Sequence, residues 1–146
     1  IGAIKRGLLL VENPGRFQVL PGRPLTVLDV GHNPHAARAL RRSLINLAFA
    51  QKRTAVFSIL SDKDIDGVLE IVKDQFDEWY IAPLDVPRGM TAEALQAKLE
   101  AQNIENIQTF TSVREAYRAA LAKAGENDRI VVFGSFHTVA DVMAAL

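Results

Sequence analysis

The sequence predicts a three-layer α/β domain in which helices cover both faces of a mostly parallel sheet of about six strands. Two observations predict this class. Short, almost continuously apolar segments alternate along the chain with longer segments of helical character. Near-continuous apolar strands bracketed by helices are typical of a parallel sheet that is buried on both faces.

The alternation begins within a connector that is rich in Gly and Pro. Residues 17–20 predict a short first strand in this connector, and the apolar run of residues 26–29 predicts the second strand. Residues 34–50 predict a helix, because leucines recur on one of its faces. Residues 54–59 predict the third strand, and residues 64–75 predict the second helix.

The alternation continues with a strand over residues 78–81 and a helix over residues 91–101. Thr91 is a good N-cap for this helix, and the helix formers Ala, Glu, Leu and Lys follow it. Residues 107–110 then predict a short fifth strand.

The last three elements are a helix, a strand and a second helix. Ser112 caps a helix over residues 112–124, and Gly125 is expected to end it. Residues 129–133 predict an apolar sixth strand, and the final helix starts near His137. Together these elements predict a domain of Rossmann-like architecture.

The composition is that of an ordinary globular domain. The 146 residues are 49% hydrophobic and carry 17 basic and 17 acidic side chains, for a net charge of +0. This balance and the lack of a long Lys/Arg run argue against nucleic acid as a partner. No apolar run approaches the roughly 18 residues that span a bilayer, so no membrane partner is expected. The absence of cysteine excludes a disulfide framework and fits a cytoplasmic protein.

The N-terminus suggests that the chain is a piece of a longer protein. It starts with Ile1 rather than Met, and it lacks the charged-then-apolar order of a signal peptide. We therefore expect residues 1–14 to be a linker or the end of a preceding domain. Residues 15–146 are expected to form the α/β domain itself.

Four chemically useful residues stand on the turn that joins the second strand to the first helix. Asn33 is a suitable N-cap, and Pro34 suits the first helical position. Asp29 is therefore expected to be available to a ligand hydroxyl, as strand-end acids are for ribose. His32 is expected to be a neutral imidazole beside the helix N-terminus. The alternatives are that Asp29 belongs to a capping turn and that the backbone satisfies His32.

A second polar segment, residues 134–138, follows the sixth strand and is therefore expected at the same edge of the sheet. Ser135 is a candidate site residue in this segment. The simpler interpretation makes Ser135 or Thr138 the N-cap of the final helix, with Asp141 in a box-like position. No G-x-S-x-G pattern surrounds Ser135, which argues against a serine hydrolase.

Charged residues on other turns are weaker candidates. Asp62 or Asp64 is expected to cap the helix that follows, whereas Lys63 can reach a phosphate from the same edge. Arg16 and Arg88 lie on turns rich in Pro and Gly, where a fixed guanidinium suits a phosphate or a carboxylate. The histidines do not have metal-ligand spacing, and without cysteine no protein-bound metal is expected.

Two common phosphate-binding motifs are missing from the sequence. It has neither the G-x-x-x-x-G-K-[ST] loop nor the G-x-G-x-x-G turn. If the domain handles ATP, the main phosphate cradle is therefore expected in another part of the protein.

Taken together, these motifs resemble the C-terminal domain of the folylpolyglutamate synthase/dihydrofolate synthase family, a branch of the Mur ligase superfamily. The resemblance covers essentially the whole chain and is closest to the bacterial bifunctional type. One departure is Gly31, where the family usually has Ala. The segments that carry the resemblance are residues 14–18, 29–37, 62–64, 87–89 and 134–140.

The resemblance implies an ATP-dependent ligase that joins L-glutamate to a dihydropteroate or folate carboxylate through an acyl phosphate. It implies that Arg16 contacts an ATP phosphate and that Asp29 contacts the ribose. His32 and Ser135 would be the catalytic and substrate-binding residues for glutamate and the transferred phosphate. The P-loop, the Mg²⁺ ligands and the pterin pocket would belong to an N-terminal domain of the same polypeptide, which acts as a monomer.

Two alternatives from other classes stay open at this point. The first is another Mur-type amide ligase, of the peptidoglycan-precursor or cyanophycin type, with a different amino-acid substrate. Residues 134–140 favour the folate branch over this alternative. The second is a non-enzymatic α/β regulatory module of the receiver type. Such a module needs an acidic cluster near its first strand, whereas Asp29 is followed by the triplet His-Asn-Pro at residues 32–34.

Overall fold

A computed structural model describes residues 17–20 and 22–146, which form six strands and five helices. After the first strand, strands and helices alternate. A short 3-10 turn, Lys73–Gln75, extends the second helix. The strands are β1 (Gln18–Leu20), β2 (Leu25–Asp29), β3 (Arg53–Phe57), β4 (Glu78–Ile81), β5 (Ile107–Thr109) and β6 (Arg129–Phe133). The helices are α1 (Pro34–Ile45), α2 (Ile65–Val72), α3 (Ala92–Ala101), α4 (Val113–Lys123) and α5 (Phe136–Ala144).

The six strands form one sheet in the order β1-β2-β6-β3-β4-β5. β1 is antiparallel to β2, and all the other neighbours are parallel. In the register of the sheet, Asp29 at the end of β2 and Phe57 at the end of β3 both stand opposite Phe133 of β6. The ends of the parallel strands therefore meet at one side of the sheet, here called the carboxyl edge. The predicted mostly parallel sheet is confirmed.

Helices cover both faces of the sheet, as predicted for a three-layer domain. Along each strand, successive residues point to opposite faces, so that Val131 belongs to one core and Val132 to the other. Helices α1, α2 and α3 close the first core, in which four aromatic rings pack together, while α4 and α5 close the second. The aromatic rings are those of Phe57, Phe76, Trp79 and Phe133.

The predicted helix starts are confirmed by cap hydrogen bonds. The Asn33 side chain accepts from the Ala36 N–H at 2.8 Å, and Pro34 occupies the first helical position. Thr91 and Ser112 cap α3 and α4 in the same way. Each cap satisfies a backbone donor that the helix itself leaves without a partner.

The helix predicted over residues 34–50 is shorter in the structure, because tertiary contacts use its last residues differently. α1 ends at Ile45, and the Leu47 N–H closes the last turn on the Leu44 carbonyl. The Ala48 carbonyl then accepts from the Arg129 guanidinium, and the Gln51 N–H donates to the Asn127 carbonyl. These bonds hold the segment across the end of the sheet and are incompatible with further helix.

The interpretation of Gly125 as a helix terminator is also corrected. α4 ends because Ala124 already has an extended backbone, with φ −73° and ψ 138°. Gly125 follows this change and donates its N–H to the Asp128 carboxylate at 2.8 Å. The glycine therefore lies in the turn after the helix and does not supply the left-handed terminator that the sequence suggested.

Candidate functional site

The candidate site lies at the carboxyl edge, around the end of β6. The chain passes from β2 to α1 and from β3 to α2 on one face of the sheet, whereas β6, which lies between them, leads to α5 on the other face. Chains that leave neighbouring strands in opposite directions open a crevice between them. In open α/β sheets, ligands bind in such crevices at the topological switch point. Both polar segments that the sequence singled out, residues 29–34 and 134–138, border this crevice.

Asp29 closes the β2 side of the crevice and has a structural task there. Its carboxylate accepts from the Gly31 N–H at 2.7 Å and from the Phe17 N–H at 3.2 Å, and the residue is only 6% exposed. Phe17 has a φ of 45°, a left-handed conformation that is uncommon for a bulky residue. The expectation that Asn33 leaves Asp29 available is therefore corrected: Asn33 caps the helix, but Asp29 fixes the turn before it. Its contact with a ribose stays a prediction.

His32 lies half-buried on the same turn, with one ring nitrogen engaged. Nδ1 is 3.3 Å from the Val30 carbonyl oxygen. Because a carbonyl can only accept, this contact places a proton on Nδ1. The alternative that the backbone satisfies His32 is thus confirmed for one nitrogen. In the neutral ring Nε2 is then an acceptor, and in the protonated ring it is a donor.

Ser135 and Thr138 form a buried hydrogen-bond chain on the β6 side of the crevice. The Ser135 hydroxyl accepts from the Thr138 N–H at 3.0 Å, which makes Ser135 the N-cap of α5. The Thr138 hydroxyl donates to the Ser58 carbonyl at 2.8 Å, and the Ser58 hydroxyl donates to the Ala82 carbonyl. This chain ties the ends of β6, β3 and β4 together. It confirms the capping interpretation of Ser135.

The direction of these bonds limits what Ser135 can do. Thr138 has one hydroxyl proton, and it donates this proton in its hydrogen bond to the Ser58 carbonyl. In the 3.0 Å contact between the Ser135 and Thr138 hydroxyls, Ser135 must therefore be the donor. Ser135 also accepts from the Thr138 N–H, and its Oγ is left with one lone pair. In this arrangement it can accept from an N–H of a ligand but has no proton for a phosphate or carboxylate. Its role as a catalytic and substrate-binding residue stays a prediction.

Gly134 lets the β6 turn approach the end of β3. Its φ is +121°, and a Cβ at this position would lie 2.0 Å from the Ser58 carbonyl oxygen. That oxygen is the one that the Thr138 hydroxyl binds. A side chain at residue 134 would therefore break the hydrogen-bond chain as well as strain the backbone.

The charged residues after β3 have separate partners. Asp64 caps α2 by accepting from the Gly67 N–H at 3.1 Å, as expected for Asp62 or Asp64. Asp62 pairs with Arg88 at 2.6 Å, so the guanidinium of Arg88 is fixed by a carboxylate of this chain. Lys63 is half-buried beside them at the carboxyl edge. Its contact with a phosphate stays a prediction.

A cavity that sequence reasoning missed opens beside the crevice. It has a volume of about 630 Å³ and lies between the segment after β4 and the first turns of α4 and α5. Its polar lining consists of Asp85, Thr91, Thr111, Ser112, His137 and Asp141. The available signal was a polar residue at or shortly after the end of a strand, and it marks Asp85 after β4 and Thr111 after β5 as well as Asp29 at the end of β2.

Arg16 lies outside the described residues, so its contact with an ATP phosphate stays a prediction. Within residues 17–20 and 22–146, no three His, Asp or Glu side chains gather in a group that would hold a metal ion. Nor is any described helix both long and apolar enough to cross a bilayer.

A parallel sheet with polar turns on both sides of a switch point defines a Rossmann-like domain of the class that binds nucleotides and other anionic ligands. Residues 15–136 match the family model for the Mur ligase, glutamate ligase domain. The chain belongs to this family.

Curated relatives confirm the family that the motifs indicated. The dihydrofolate synthase/folylpolyglutamate synthase of Escherichia coli K12 is 43% identical over 144 residues, which are 99% of this chain and 33% of the relative. The enzyme of the same name from Mycobacterium tuberculosis is 31% identical over 119 residues, 81% of this chain and 24% of the relative. The chain thus spans about a third of the length of the curated relatives that it matches first.

Solved structures share the fold over most of the chain. E. coli FolC in complex with ADP matches with a TM-score of 0.84 and 45% identity, over 91% of this chain and 31% of that one. A bifunctional folylpolyglutamate synthase/dihydrofolate synthase with Mn, AMPPNP and L-glutamate bound matches with a TM-score of 0.82 and 47% identity, over 92% of this chain and 32% of that one. These matches confirm the predicted fold class and the predicted family.

Proposed function

We propose that this chain is the C-terminal domain of a cytoplasmic, monomeric ligase that uses ATP and Mg²⁺ to join L-glutamate to dihydropteroate and to folate glutamates. The observation that carries the proposal is the switch-point crevice, which is bordered on both sides by the segments that resemble the folate branch, residues 29–37 and 134–140. The names of the relatives support the same activity, and the bound ADP, AMPPNP and L-glutamate of the solved structures support the same ligands.

The reaction proceeds through an acyl phosphate. ATP transfers a phosphoryl group to the acceptor carboxylate, and the glutamate amine attacks the resulting acyl carbon. The new C–N bond forms, the C–O bond to phosphate breaks, and the amine loses a proton. The domain contributes by holding anionic groups and aligning the amine, which are positional and electrostatic effects.

The N-termini of the two helices that border the crevice are suited to anionic ligands. Helices α2, α3 and α4 carry an acidic residue in the first turn, whereas α1 and α5, which border the crevice, carry none. The partial positive charge at the N-termini of α1 and α5 is therefore left for a phosphate or a carboxylate. In the proposal, Arg16 and Asp29 hold the nucleotide.

Two side chains are assigned to the incoming glutamate. The free lone pair of Ser135 accepts an N–H from its amine, and Nε2 of His32 binds one of its polar groups. Among the described residues, no three His, Asp or Glu side chains form a group that could hold a metal ion by themselves. In the proposal the metal and the main phosphate cradle belong to an N-terminal domain, with residues 1–14 as the connection.

A chimera tests the proposed function. This chain replaces the matching third of the E. coli relative, and ADP release is measured with dihydropteroate, ATP and a series of amino acids. We expect turnover that depends on L-glutamate, while this chain alone gives none. Turnover with another amino acid in place of L-glutamate would favour the alternative Mur-type ligase. A folded chimera without ATP-dependent turnover would contradict the proposal.

In the same chimera, His32→Ala is expected to raise KM for L-glutamate about tenfold, the effect of losing one hydrogen bond to a charged group. KM for ATP is expected to change by less than about twofold. Steady-state kinetics with each substrate varied in turn give both values. His35→Ala is the matched control, because His35 is exposed in the first turn of α1, which directly follows the turn of His32. A selective rise in KM for ATP would instead assign His32 to the nucleotide.

A further inference from the structure

A second cavity lies at the opposite end of the sheet from the switch-point crevice. It has a volume of about 400 Å³ and is here called the amino-edge cavity. The segment after α1 and the first residues of β3 and β6 enclose it. Its lining includes Leu44, Ile45, Phe49, Arg53, Asp77 and Arg129.

Arg129 contributes a buried positive charge to this cavity, and none of the described residues supplies it with a counterion. The residue is 5% exposed, and its Nη2 donates to the Ala48 carbonyl at 2.8 Å. Its Nε has no hydrogen-bond partner, and no carboxylate of the described residues lies within 4 Å of the guanidinium. Arginine is rarely buried unless it is paired, because an isolated charge is costly to remove from water.

The nearest charged neighbours do not compensate Arg129. Arg53 stands directly opposite it in the sheet, and the Asp77 carboxylate is already bound by Arg53 through two side-chain hydrogen bonds of 3.2 Å. Burial, and then the positive charge of Arg53, lower the pKa of Arg129 from its ordinary value. Two guanidinium groups therefore share the cavity with one carboxylate.

The rim of the cavity is apolar and open to solvent. Phe49 is 92% exposed and Ile45 is 57% exposed, and both belong to the lining. Phe49 lies in a segment without regular structure, between the end of α1 and β3. A positively charged interior below an aromatic rim matches a ligand that has a carboxylate at one end and an apolar ring at the other.

We propose that the amino-edge cavity binds a small aryl carboxylate, whose carboxylate neutralises Arg129 and whose ring packs against Phe49 and Ile45. This site lies beyond the proposed ligase function, because it is at the other end of the sheet from the crevice. It requires no residue that the ligase function uses.

Binding of three probes to this chain tests the proposal. Benzoate has both features, acetate has the charge alone, and benzyl alcohol has the ring alone. Titrations followed by ¹H–¹⁵N spectra are expected to show saturable benzoate shifts at the amides of Ala48, Phe49 and Arg129. Acetate and benzyl alcohol are each expected to bind at least about tenfold more weakly, because each lacks one of the two contacts.

Variants assign the two contacts separately. Arg129→Gln is expected to weaken benzoate binding by at least about tenfold, as the loss of a charged hydrogen bond does, while Arg118→Gln on the exposed side of α4 has no effect. Phe49→Ala is expected to remove the preference for benzoate over acetate, and Leu121→Ala is its exposed apolar control. Phe49 is almost fully exposed, so this second test holds even if Arg129→Gln does not fold.

Three results would overturn the proposal. The first is the absence of saturable benzoate shifts at Ala48, Phe49 and Arg129, which would mean that the cavity holds water only. The second is equal binding of benzyl alcohol and benzoate. The third is unchanged benzoate affinity in folded Arg129→Gln.

Discussion

Gly134→Ala is expected to lower the free energy of unfolding by about 3 kcal/mol or more. Two costs add at this position. The φ of +121° is strained for any residue with a Cβ, at a cost of about 1–3 kcal/mol. The new Cβ would also lie 2.0 Å from the Ser58 carbonyl oxygen, which is backbone and has little freedom to move. Urea unfolding of this chain, followed by circular dichroism, measures the loss.

Gly22→Ala separates the two costs. Gly22 has a similar φ of +106°, but a Cβ there would meet no atom of the described residues within 4 Å. This control is expected to lose only the conformational part, about 1–3 kcal/mol. An equal loss of unfolding free energy in Gly134→Ala and Gly22→Ala would mean that the contact with the Ser58 carbonyl does not contribute to the cost. The close approach of β6 and β3 would then not be the reason for the glycine.

Asp29→Ala is expected to lower the free energy of unfolding by about 3 kcal/mol. Its buried carboxylate accepts from the N–H groups of Gly31 and Phe17, and a hydrogen bond to a charged group contributes about 1.5–3 kcal/mol. Without this acceptor, Phe17 also loses the bond that supports its left-handed backbone. Urea unfolding at neutral pH gives the loss directly.

Asp29→Asn distinguishes structural support from contact with a nucleotide. Asparagine keeps an oxygen acceptor for the Gly31 N–H and suits this type of turn, so we expect a loss of only about 1 kcal/mol. In the chimera, a fall in ATP use by Asp29→Asn without loss of the folded state would assign Asp29 to the nucleotide as well. Full ATP use would leave it with the structural task alone. An Asp29→Ala variant as stable as the unaltered chain would contradict that task.

Local signals were sufficient for the type of each helix and for the starts of α1, α3 and α4. Asn33, Thr91 and Ser112 each stand before a helical pattern and cap it, because an N-cap bond spans only three residues. The end of α1 was not predictable in this way. Leu47 continues the leucine pattern past Ile45, but the Ala48 carbonyl accepts a hydrogen bond from Arg129, which is 81 residues away in the sequence.

The candidate site was also predictable only in part from the sequence. The motifs around Asp29, His32 and Ser135 were visible in the sequence, and the sheet does bring their segments to the two sides of one crevice. Their hydrogen bonds were not visible. The protons of Ser135 and Thr138 are directed by the carbonyl of Ser58, which follows β3 and is 80 residues away from Thr138. The larger cavity beside Asp85 and His137 also depends on segments that are distant in sequence.

The amino-acid sequence by itself determined the α/β class, the caps and the two polar turns, because periodicity and capping act over a few residues. Only the tertiary structure decided the strand order β1-β2-β6-β3-β4-β5, which places β6 between β2 and β3 and so creates the crevice. It also decided that Asp29 supports a turn, that Ser135 keeps one lone pair and that Arg129 is buried with no counterion among residues 17–20 and 22–146. The physical reason is that burial and hydrogen-bond direction depend on the groups that packing brings together, which no local pattern specifies.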